Sequence, residues 1–557
     1  MPDSSTTSNT AAPEFHLDTQ GRRVFVGLLL GMFVASISQM IVGPAMPQIV
    51  AELGGMDHYS WVATAAMLVS AITVPLVGKF SDLYGRRGFY IGGLIVFLIG
   101  SLLAGFAQSF WMLVAARAIQ GIGMGSVMPL AQTIIGDIIP PRARGKYQGL
   151  MGAVFGVSSV AGPLAGGFIT DHWGWRWLFF SSIPLGVIAT LVVARFLRMP
   201  HQRRDAKVDV WGIVTLAPAL VAILLATSWG GVTYAWTSPI ILGLFAVGAL
   251  LLGAFVVAES RAGEPILPLH LFRDSIFTLS NVAGFGIAMV MFGAIMYIPV
   301  FAQGVVGVSA TNSGLILLPL MLGMIVMGAV AGMVVTRTGV YKPIMLAGVV
   351  IMAVGVWLLG RLDHAATSLQ LTIAMSVLGV GLGLAMQLYT LVVQNSAAQR
   401  DLGVATASTQ FFRNVGSTVG IAIFGTMMTM GLHDAIARYL PASAQGQLSE
   451  SGGASIGSVL DPEAAAQLPD AVAAAVRHGL ADQLHDVFML GLPILAVVLV
   501  ATLGIRVIPL RTTNDEHVPA AEEAGHELLD CLGSSAAEPA DDADGEARLA
   551  SSGTRRG

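Results

Sequence analysis

Stretches of about twenty apolar residues recur along most of the chain, and they restrict its fold more than any other feature of the sequence. A helix of that length crosses the ~30 Å hydrocarbon core of a bilayer, where a chain must satisfy its own backbone hydrogen bonds. The composition agrees, because 55% of the 557 residues are hydrophobic and only 11% are Asp, Glu, Lys or Arg. Soluble domains contain about 25% charged residues. The sequence therefore predicts an all-α polytopic membrane protein.

We place fourteen transmembrane helices on these stretches. Their predicted ranges are 23–44, 60–78, 89–107, 111–132, 149–169, 178–197, 210–228, 239–258, 276–301, 312–335, 343–360, 368–392, 405–430 and 487–508. The first follows Arg22 and Arg23, and no small-residue cleavage site comes after it. We therefore interpret it as a membrane span rather than a signal peptide.

The distribution of positive charge predicts the orientation of these spans. When the N-terminus is placed in the cytoplasm, 23 of the 29 Lys and Arg residues lie in cytoplasmic loops, in the tails or at the cytoplasmic ends of spans, and four lie in external loops. Cytoplasmic loops are the ones that carry an excess of Lys and Arg. Because the number of spans is even, both termini are expected in the cytoplasm, and the expected location is the cytoplasmic (inner) membrane of a bacterium.

Two cytoplasmic loops share a spacing that indicates an internal repeat. GKFSDLYGRR (78–87) joins spans two and three, and GMVVTRTGVYK (332–342) joins spans ten and eleven. In each, two glycines lie seven residues apart and basic residues follow. Each loop is the second of a six-span block, so the spans divide into six, two and six. Paired repeats of this kind build central sites in many transporters.

The predicted organisation follows from this division. It comprises a polar N-terminal tail (1–21), an N-terminal six-helix bundle (22–200), two extra linker helices (201–262), a C-terminal six-helix bundle (263–510) with a long external loop (431–486), and a disordered acidic cytoplasmic tail (511–557). Residues 512–557 carry 11 acidic and 3 basic residues, a net charge of −8, which leaves +4 for the first 511 residues. Within the external loop we predict one or two short amphipathic helices, which lie on the membrane surface, cap the external mouth or serve as a spacer.

Several motifs point to a family. GKFSDLYGRR resembles the cytoplasmic loop motif of the major facilitator superfamily, and RAIQGIGMG (117–125) resembles its fourth-span motif. GLMGAVFGVSSVAGPLAGG (149–167) is similar to the fifth-span motif of its antiporters. Further stretches are similar to the fourteen-span drug/proton antiporter subfamily. The resemblance covers roughly residues 22–510 and implies a major facilitator fold, alternating access, export of drugs and exchange with protons.

The first loop motif combines glycines with charges. We expect Gly78 and Gly85 to permit tight turns between helix and loop. Asp82, Arg86 and Arg87 lie at one membrane face, where Asp137 at the end of span four can join them. We predict that this cluster locks the two halves together when the cytoplasmic side is closed. The alternative is ordinary flanking charge.

The fifth span is rich in small residues. Gly152 and Gly156, and then Gly162 and Gly166, each have the spacing that lets helices approach closely. Pro163 weakens the helix because it removes a backbone donor. We predict close packing, and the resemblance implies a further role in alternating access.

The polar residues within the spans are the candidates for a substrate site. An arginine at mid-membrane costs about 2.5–3.5 kcal/mol, so Arg117 is expected to face a cavity or a partner, whereas Arg413 is expected to snorkel to the membrane surface. Relatives commonly carry Asp at the position of Ser38, and no span interior as drawn contains Asp or Glu. The remaining candidates for the central cavity are Gln39, Gln132, Asn281, Tyr297, Gln387, Tyr389, Gln394 and Gln410.

These residues favour a large ligand that is neutral or amphiphilic, since dications need buried negative charge. We predict an exporter of hydrophobic or amphiphilic drugs, with protons as the coupling ion implied by the resemblance. The first alternative is an exporter of a lipid or an endogenous metabolite, and the remote alternative is a membrane-embedded enzyme or sensor. No metal-ligand spacing, phosphate loop or basic nucleic-acid-binding cluster occurs, so we predict no enzyme activity, no cofactor, no metal and no nucleic-acid partner. The sequence leaves the oligomeric state open.

Overall fold

The computed structural model describes residues 17–53, 61–197, 209–231, 234–263, 265–307, 317–440 and 470–511. Most of the predicted N-terminal tail, the acidic tail beyond 511 and residues 441–469 of the predicted external loop lie outside the described residues. Within the described ranges the regular structure is helical, apart from one isolated bridge between Gly230 and Tyr234.

Sixteen α-helices are described. In chain order they are α1 (Thr19–Met40), α2 (Met46–Leu53), α3 (Trp61–Tyr84), α4 (Arg86–Gly105), α5 (Phe110–Ile138), α6 (Pro141–Trp173), α7 (Arg176–Phe196), α8 (Val210–Trp229), α9 (Pro239–Arg261), α10 (Ser275–Gly304), α11 (Leu318–Thr338), α12 (Lys342–Gly360), α13 (Ser368–Ser396), α14 (Leu402–Tyr439), α15 (Asp470–Met489) and α16 (Gly491–Gly504). Short 3₁₀ turns lie at Gly43–Ala45, Leu269–Arg273 and Gln399–Asp401.

The prediction of fourteen transmembrane helices is confirmed. Helices α1 and α3 to α14 are each long and apolar enough to cross a membrane, and α15 and α16 together supply the last span, Val472–Gly504. The helices also leave large apolar side chains on the outside, such as Leu250 of α9, which is 74% exposed. Such residues suit contact with lipid, whereas water would disfavour a surface of this kind.

Helices α14 and α15 extend further than the sequence predicted. Helix α14 continues to Tyr439 and α15 begins at Asp470, so both enter the predicted loop 431–486. The extensions pack on each other: Tyr439 Oη donates to Asp482 Oδ2 at 2.6 Å, and Gln483 Nε2 donates to a backbone carbonyl of α14 at 2.7 Å. The predicted amphipathic segment is therefore helical from residue 470 onward, and it packs against a neighbouring helix.

Two groups of six spans and a linker pair make up the fold. In the first half, α5 packs between α3 and α4, while α7 packs on α1 and α4. In the second half, α13 packs between α11 and α12, while α14 packs on α10 and α15. The linker helices α8 and α9 pack on each other, and α8 also contacts α3 and α14.

The two halves meet through equivalent helices. The second span of each half packs on the fifth span of the other, so α3 contacts α14 and α11 contacts α6. Further contacts join α5 to α14 and α6 to α13. These contacts place six helices along the line where the halves meet: α3, α5 and α6 of the first half and α11, α13 and α14 of the second.

Candidate functional site

A cavity lies between the two halves. Four helices of the first half (α1, α3, α5 and α6) and four of the second (α10, α11, α13 and α14) supply its wall. Neither linker helix contributes to it among the described residues. A cavity built equally from both halves changes shape whenever one half moves against the other.

The wall of the cavity is mostly apolar and flexible. Eight methionines and two phenylalanines line it: Met32, Met67, Met124, Met128, Met151, Met291, Met324, Met386, Phe155 and Phe292. Methionine side chains are unbranched and polarisable, so they adapt to ligands of different shape. This wall suits hydrophobic ligands of varied outline better than one rigid ligand.

Four predicted glutamines lie on this wall. Gln39, Gln132, Gln387 and Gln410 all line the cavity, one each from α1, α5, α13 and α14. The side-chain oxygens of Gln132 and Gln387 are buried without a hydrogen-bond partner among the described residues. Buried polar atoms are normally satisfied, so these two amides are suited to bind a ligand or water.

Other predicted cavity residues lie inside the first half, away from the wall. Arg117 is 1% exposed, donates to the Val62 carbonyl at 3.1 Å and also donates to Gln120 Oε1. Gln120 in turn donates to Ser38 at 2.9 Å and to Ser101 at 2.7 Å. Arg117 and Ser38 therefore belong to a buried network that joins α1, α3, α4 and α5, and this network satisfies the arginine within its own half.

The remaining predicted residues are engaged within or beside the second half. Asn281 donates to the Phe277 carbonyl at 2.9 Å within α10, and Tyr297 is buried in the core of that half. Tyr389 Oη lies 2.6 Å from Thr502 Oγ1, which joins α13 to α16. Gln394 bridges the halves, since its Nε2 donates to the Gln132 carbonyl at 3.3 Å.

Arg413 does not snorkel, and that expectation is wrong. It lines the cavity from α14, and its guanidinium donates to Thr390 Oγ1 at 3.1 Å. It is the only ionisable side chain among the described residues of the wall. Sequence reasoning missed it because Arg413 lies near one end of its span. The burial of its side chain depends on how α14 packs against α13.

A charged cluster joins the halves at the end of the bundle where α3 meets α4, which we call the Arg86 end. Arg86 donates to Asp82 Oδ1 at 2.9 Å, to the Thr133 carbonyl at 3.2 Å and to Asp137 Oδ2. The side chains of Asp82, Arg86 and Asp137 are only 7–11% exposed. Hydrogen bonds between charged groups are stronger than neutral ones, so they hold these three side chains together.

Both carboxylates of the cluster also bind the second half. Asp82 Oδ2 accepts from the backbone N–H of Val404 at 3.0 Å, in the first turn of α14. Asp137 Oδ1 accepts from Gln399 Nε2 at 2.7 Å, just before α14 begins. The N-terminus of α14 is a region of partial positive charge, so these carboxylates favour its docking electrostatically.

The other residues of the loop motif have separate positions. Gly85 has φ of +99° between α3 and α4, which matches the predicted tight turn. Gly78 lies inside α3 and forms no turn, so that expectation is wrong. A Cβ at Gly78 would lie 2.5 Å from Ala407 Cβ, and the glycine therefore permits α3 to approach α14. Arg87 donates to the Ala194 carbonyl at 2.7 Å and lies outside the cluster.

The second half repeats this contact with a neutral residue. Thr336 follows Gly332 by four residues, as Asp82 follows Gly78, and its Oγ1 accepts from the backbone N–H of Lys146 at 3.3 Å. A Cβ at Gly332 would lie 2.0 Å from the Gly145 carbonyl oxygen, so α11 and α6 are in backbone contact. The repeated glycine spacing was the signal for this contact, although the role of Thr336 went unnoticed.

The glycines of α6 serve two interfaces. A Cβ at Gly152 would lie 3.2 Å from the Gln387 side chain, and one at Gly156 would lie 2.7 Å from Ile325, so the first pair faces the second half. Gly162 and Gly166 instead approach the end of α1. Pro163 lies within the helix directly after Gly162, in the region that approaches α1.

A smaller contact stabilises the first half at the opposite end of the bundle. Glu52 of α2 accepts from Trp175 Nε1 at 2.7 Å and from Arg176 at 2.5 Å. These hydrogen bonds, that of Trp175 first, hold the pKa of the Glu52 carboxyl below its usual value. Elsewhere in the described ranges, no three His, Cys, Asp or Glu side chains converge as metal ligands do.

Two six-helix halves around a shared central cavity, with an apolar outer surface, define a multi-pass membrane transporter for small molecules. The chain belongs to the Major Facilitator Superfamily, whose sequence model matches residues 28–421. The predicted family and fold are thereby confirmed, and members of this family are transporters rather than enzymes.

Its relatives include named multidrug transporters. The chain is 40% identical over 519 residues to "Multidrug transporter protein MdtP" of Bacillus subtilis (strain 168), covering 90% of this chain and 96% of that protein. It is 35% identical over 508 residues to "Multidrug resistance protein 3" of the same organism, covering 90% and 97%. Among solved structures, the human organic anion transporter MFSD10 (TETRAN) matches with a TM-score of 0.58 at 14% identity, over 86% of this chain and all of that one, which shows a shared fold.

Proposed function

We propose that this protein exports hydrophobic or amphiphilic compounds across the bacterial cytoplasmic membrane by alternating access, in exchange for protons. The observation that carries the proposal is the cavity between the halves, with its methionine and phenylalanine wall and its four glutamine amides. An apolar pocket with a few polar groups binds such ligands without selecting one shape. The names of the two Bacillus relatives support drugs as the substrate class.

The orientation in the proposal comes from the positive charges. The short loops that join α3 to α4 and α5 to α6 lie at the Arg86 end, and basic residues flank them at the starts of α4 and α6: Arg86, Arg87, Arg142, Arg144 and Lys146. Loops of this kind remain in the cytoplasm. The Arg86 end is accordingly the cytoplasmic end in our proposal. In this orientation α1 begins and α16 ends on the cytoplasmic side, so we propose that both termini lie in the cytoplasm.

The Arg86 cluster is the lock of the transport cycle in this proposal. Asp82 and Asp137 belong to the first half, yet each accepts a hydrogen bond from the segment that begins α14. When the cytoplasmic side opens, α3 and α14 separate and both hydrogen bonds break. A charge-assisted hydrogen bond contributes about 1.5–3 kcal/mol, so two of them are enough to bias the equilibrium between the states.

Proton exchange is the part of the proposal that rests on family resemblance. The described wall of the cavity carries no Asp, Glu or His, and proton relays in membranes normally use such residues. Asp82 and Asp137 are acidic residues whose protonation acts directly on the contact between the halves. We therefore place the coupling at the lock rather than at the substrate.

A dye efflux assay tests this function. Cells that produce the protein are loaded with the neutral dye N-phenyl-1-naphthylamine, and efflux is measured with and without a proton uncoupler. We expect efflux that stops with the uncoupler. Efflux of a phospholipid analogue but of no dye would instead favour a lipid exporter. Efflux that continues with the uncoupler would contradict the exchange for protons but not the export of the dye.

A further inference from the structure

Arg413 differs from the other buried arginines in what surrounds it. Arg86 has two carboxylates, and Arg117 has the Val62 carbonyl and the Gln120 side chain. Arg144 donates to two backbone carbonyls. Arg413 donates to one protein atom among the described residues, the hydroxyl of Thr390, and forms no ion pair with a described carboxylate.

The exposed part of Arg413 faces the cavity. The residue is partly exposed and lies on the wall, between the apolar lining of α10 and that of α13. On the same helix, Gln410 donates to Asn414 Oδ1 at 3.1 Å, and none of the described α14 residues that line the cavity carries a carboxylate. A guanidinium carries five N–H donors in a planar fork, and one hydroxyl acceptor uses few of them.

A positive charge in an apolar cavity is costly unless something balances it. An arginine within a membrane costs about 2.5–3.5 kcal/mol, and such residues normally pair with a partner. The described wall offers amides and hydroxyls but no negative charge. A ligand that brings its own negative charge would balance Arg413 and gain a charge-assisted hydrogen bond where water is scarce.

We propose that Arg413 binds the acidic group of amphiphilic organic anions, while the methionines and phenylalanines of the cavity bind their hydrophobic part. The acidic group is a carboxylate, sulfonate or phosphate, since each matches the planar fork of the guanidinium. Gln387 lines the cavity from α13, three residues before the Thr390 that accepts from Arg413, and its unpartnered side chain has the capacity to bind the same group. This inference rests on the proposed export function and names the substrate class of its cavity.

A pair of dyes isolates the contribution of the acidic group. 8-Anilinonaphthalene-1-sulfonate carries a sulfonate that N-phenyl-1-naphthylamine lacks, and the two dyes share the same aromatic frame. Binding is measured by fluorescence with the purified full-length protein in phosphatidylcholine nanodiscs, with empty nanodiscs subtracted. The variants are Arg413→Gln, Arg413→Lys and the control Arg361→Gln, because Arg361 is exposed outside the cavity and stacks on Trp357.

We expect the unmodified protein to bind both dyes. Arg413→Gln weakens binding of the sulfonate by about tenfold or more, as expected for loss of a charge-assisted hydrogen bond, and changes binding of the neutral dye by less than about twofold. Arg413→Lys retains part of the sulfonate binding because it keeps the charge but loses the fork. Retained binding of the neutral dye shows that each variant is folded.

The opposite results overturn the inference. Equal loss of both dyes in Arg413→Gln at an unchanged thermal unfolding temperature, or unchanged sulfonate binding, would show that Arg413 does not select anions. Nanodiscs with phosphatidylglycerol distinguish a lipid headgroup from a soluble organic anion as the ligand. If this lipid competes with the sulfonated dye in the unmodified protein but not in Arg413→Gln, the site binds a lipid headgroup. Because binding is measured directly, the result stands even if neither dye is exported, an outcome that would contradict the export function only.

Discussion

Asp82 connects three elements through one carboxylate. One oxygen accepts from Arg86 and the other accepts from the backbone N–H of Val404, so the residue joins α3 and α4 to the start of α14. Its carboxylate also fills the space beside Gly403, where any side chain would collide with it. A residue in such a position influences the contact between the halves more than the stability of either half.

Asp82→Asn tests this position. An asparagine keeps the size of the side chain but loses the negative charge, which leaves Arg86 with Asp137 as its remaining carboxylate. We expect dye efflux to fall by about tenfold or more, the effect of losing about 1.5–3 kcal/mol of charge-assisted hydrogen bonding. The thermal unfolding temperature in detergent should change little. Asp171→Asn, at an exposed end of α6, is the matched control, and normal efflux by Asp82→Asn would rule out the lock.

Arg117→Met tests whether the buried network is structural. Methionine fills similar space but leaves the Val62 carbonyl and Gln120 without their donor. An unsatisfied buried polar group costs about 1–3 kcal/mol, so the unfolding temperature should fall. Efflux of the neutral and the sulfonated dye should fall by the same factor, because Arg117 lies off the cavity wall. A change in the ratio of the two rates at unchanged stability would show instead that Arg117 contacts substrate.

At the scale of helices, hydrophobicity alone predicted most of the architecture. Each of the fourteen predicted spans overlaps a helix of the structure, because length and apolar composition decide whether a segment can cross a membrane. The ends were less predictable. Gly78 lies inside α3, where the close approach of α14 requires a small residue. Helix α14 extends to Tyr439, and α15 packs against this extension. Such tertiary contacts leave no local signal in the sequence.

The candidate site was predictable to a smaller extent. Four glutamines on the wall could be selected as polar residues within spans, but the same rule also selected Arg117 and Tyr389, which are satisfied inside a half. Polarity within a span indicates only that a partner is needed. Whether that partner is protein or ligand depends on the rotation of the helix, which the sequence leaves undetermined. For Arg413 the error was the opposite: we expected it at the membrane surface, and it lines the cavity.

The contact of α6 with α11 provides a prediction at this scale. Gly332→Ala places a Cβ 2.0 Å from the Gly145 carbonyl oxygen, whereas Gly284→Ala in α10 meets nothing within 4 Å. We expect Gly332→Ala to separate these helices and to favour the conformation that is open at the Arg86 end. In a Cys531→Ser background, a cysteine at Met128 of the cavity wall should then react faster with a charged thiol reagent from the cytoplasmic side. An unchanged rate of thiol labelling in Gly332→Ala would show that this contact does not hold the Arg86 end closed. The control Gly284→Ala should be labelled at the same rate as the protein without either alanine.

At the scale of the whole molecule, the two halves close their shared end by different means. Asp82 binds the N-terminus of α14 with a charge, and Thr336, at the equivalent position, binds the second turn of α6 with a hydroxyl. The geometry is repeated, but the titratable group occurs only in the first half. Under the proposed exchange with protons, protonation of Asp82 would weaken the first contact and leave the second contact, at Thr336, unchanged.

The membrane potential acts on the whole transport cycle, and it distinguishes anionic from neutral substrates. A charge that moves through 100 mV gains about 2.3 kcal/mol. Suppose that one proton enters for each substrate exported. Export of a neutral dye then moves one positive charge inward. Export of a sulfonated dye also moves one negative charge outward, so two charges move in the same electrical direction. Collapse of the potential with valinomycin and potassium, at a constant pH gradient, should therefore slow export of 8-anilinonaphthalene-1-sulfonate in membrane vesicles more than export of N-phenyl-1-naphthylamine. Nigericin, which collapses the pH gradient instead, should slow the two dyes by similar factors because both exchange with the same proton. Equal sensitivity of the two dyes to valinomycin would show that a compensating cation leaves with the sulfonate, so that export of either dye moves the same net charge.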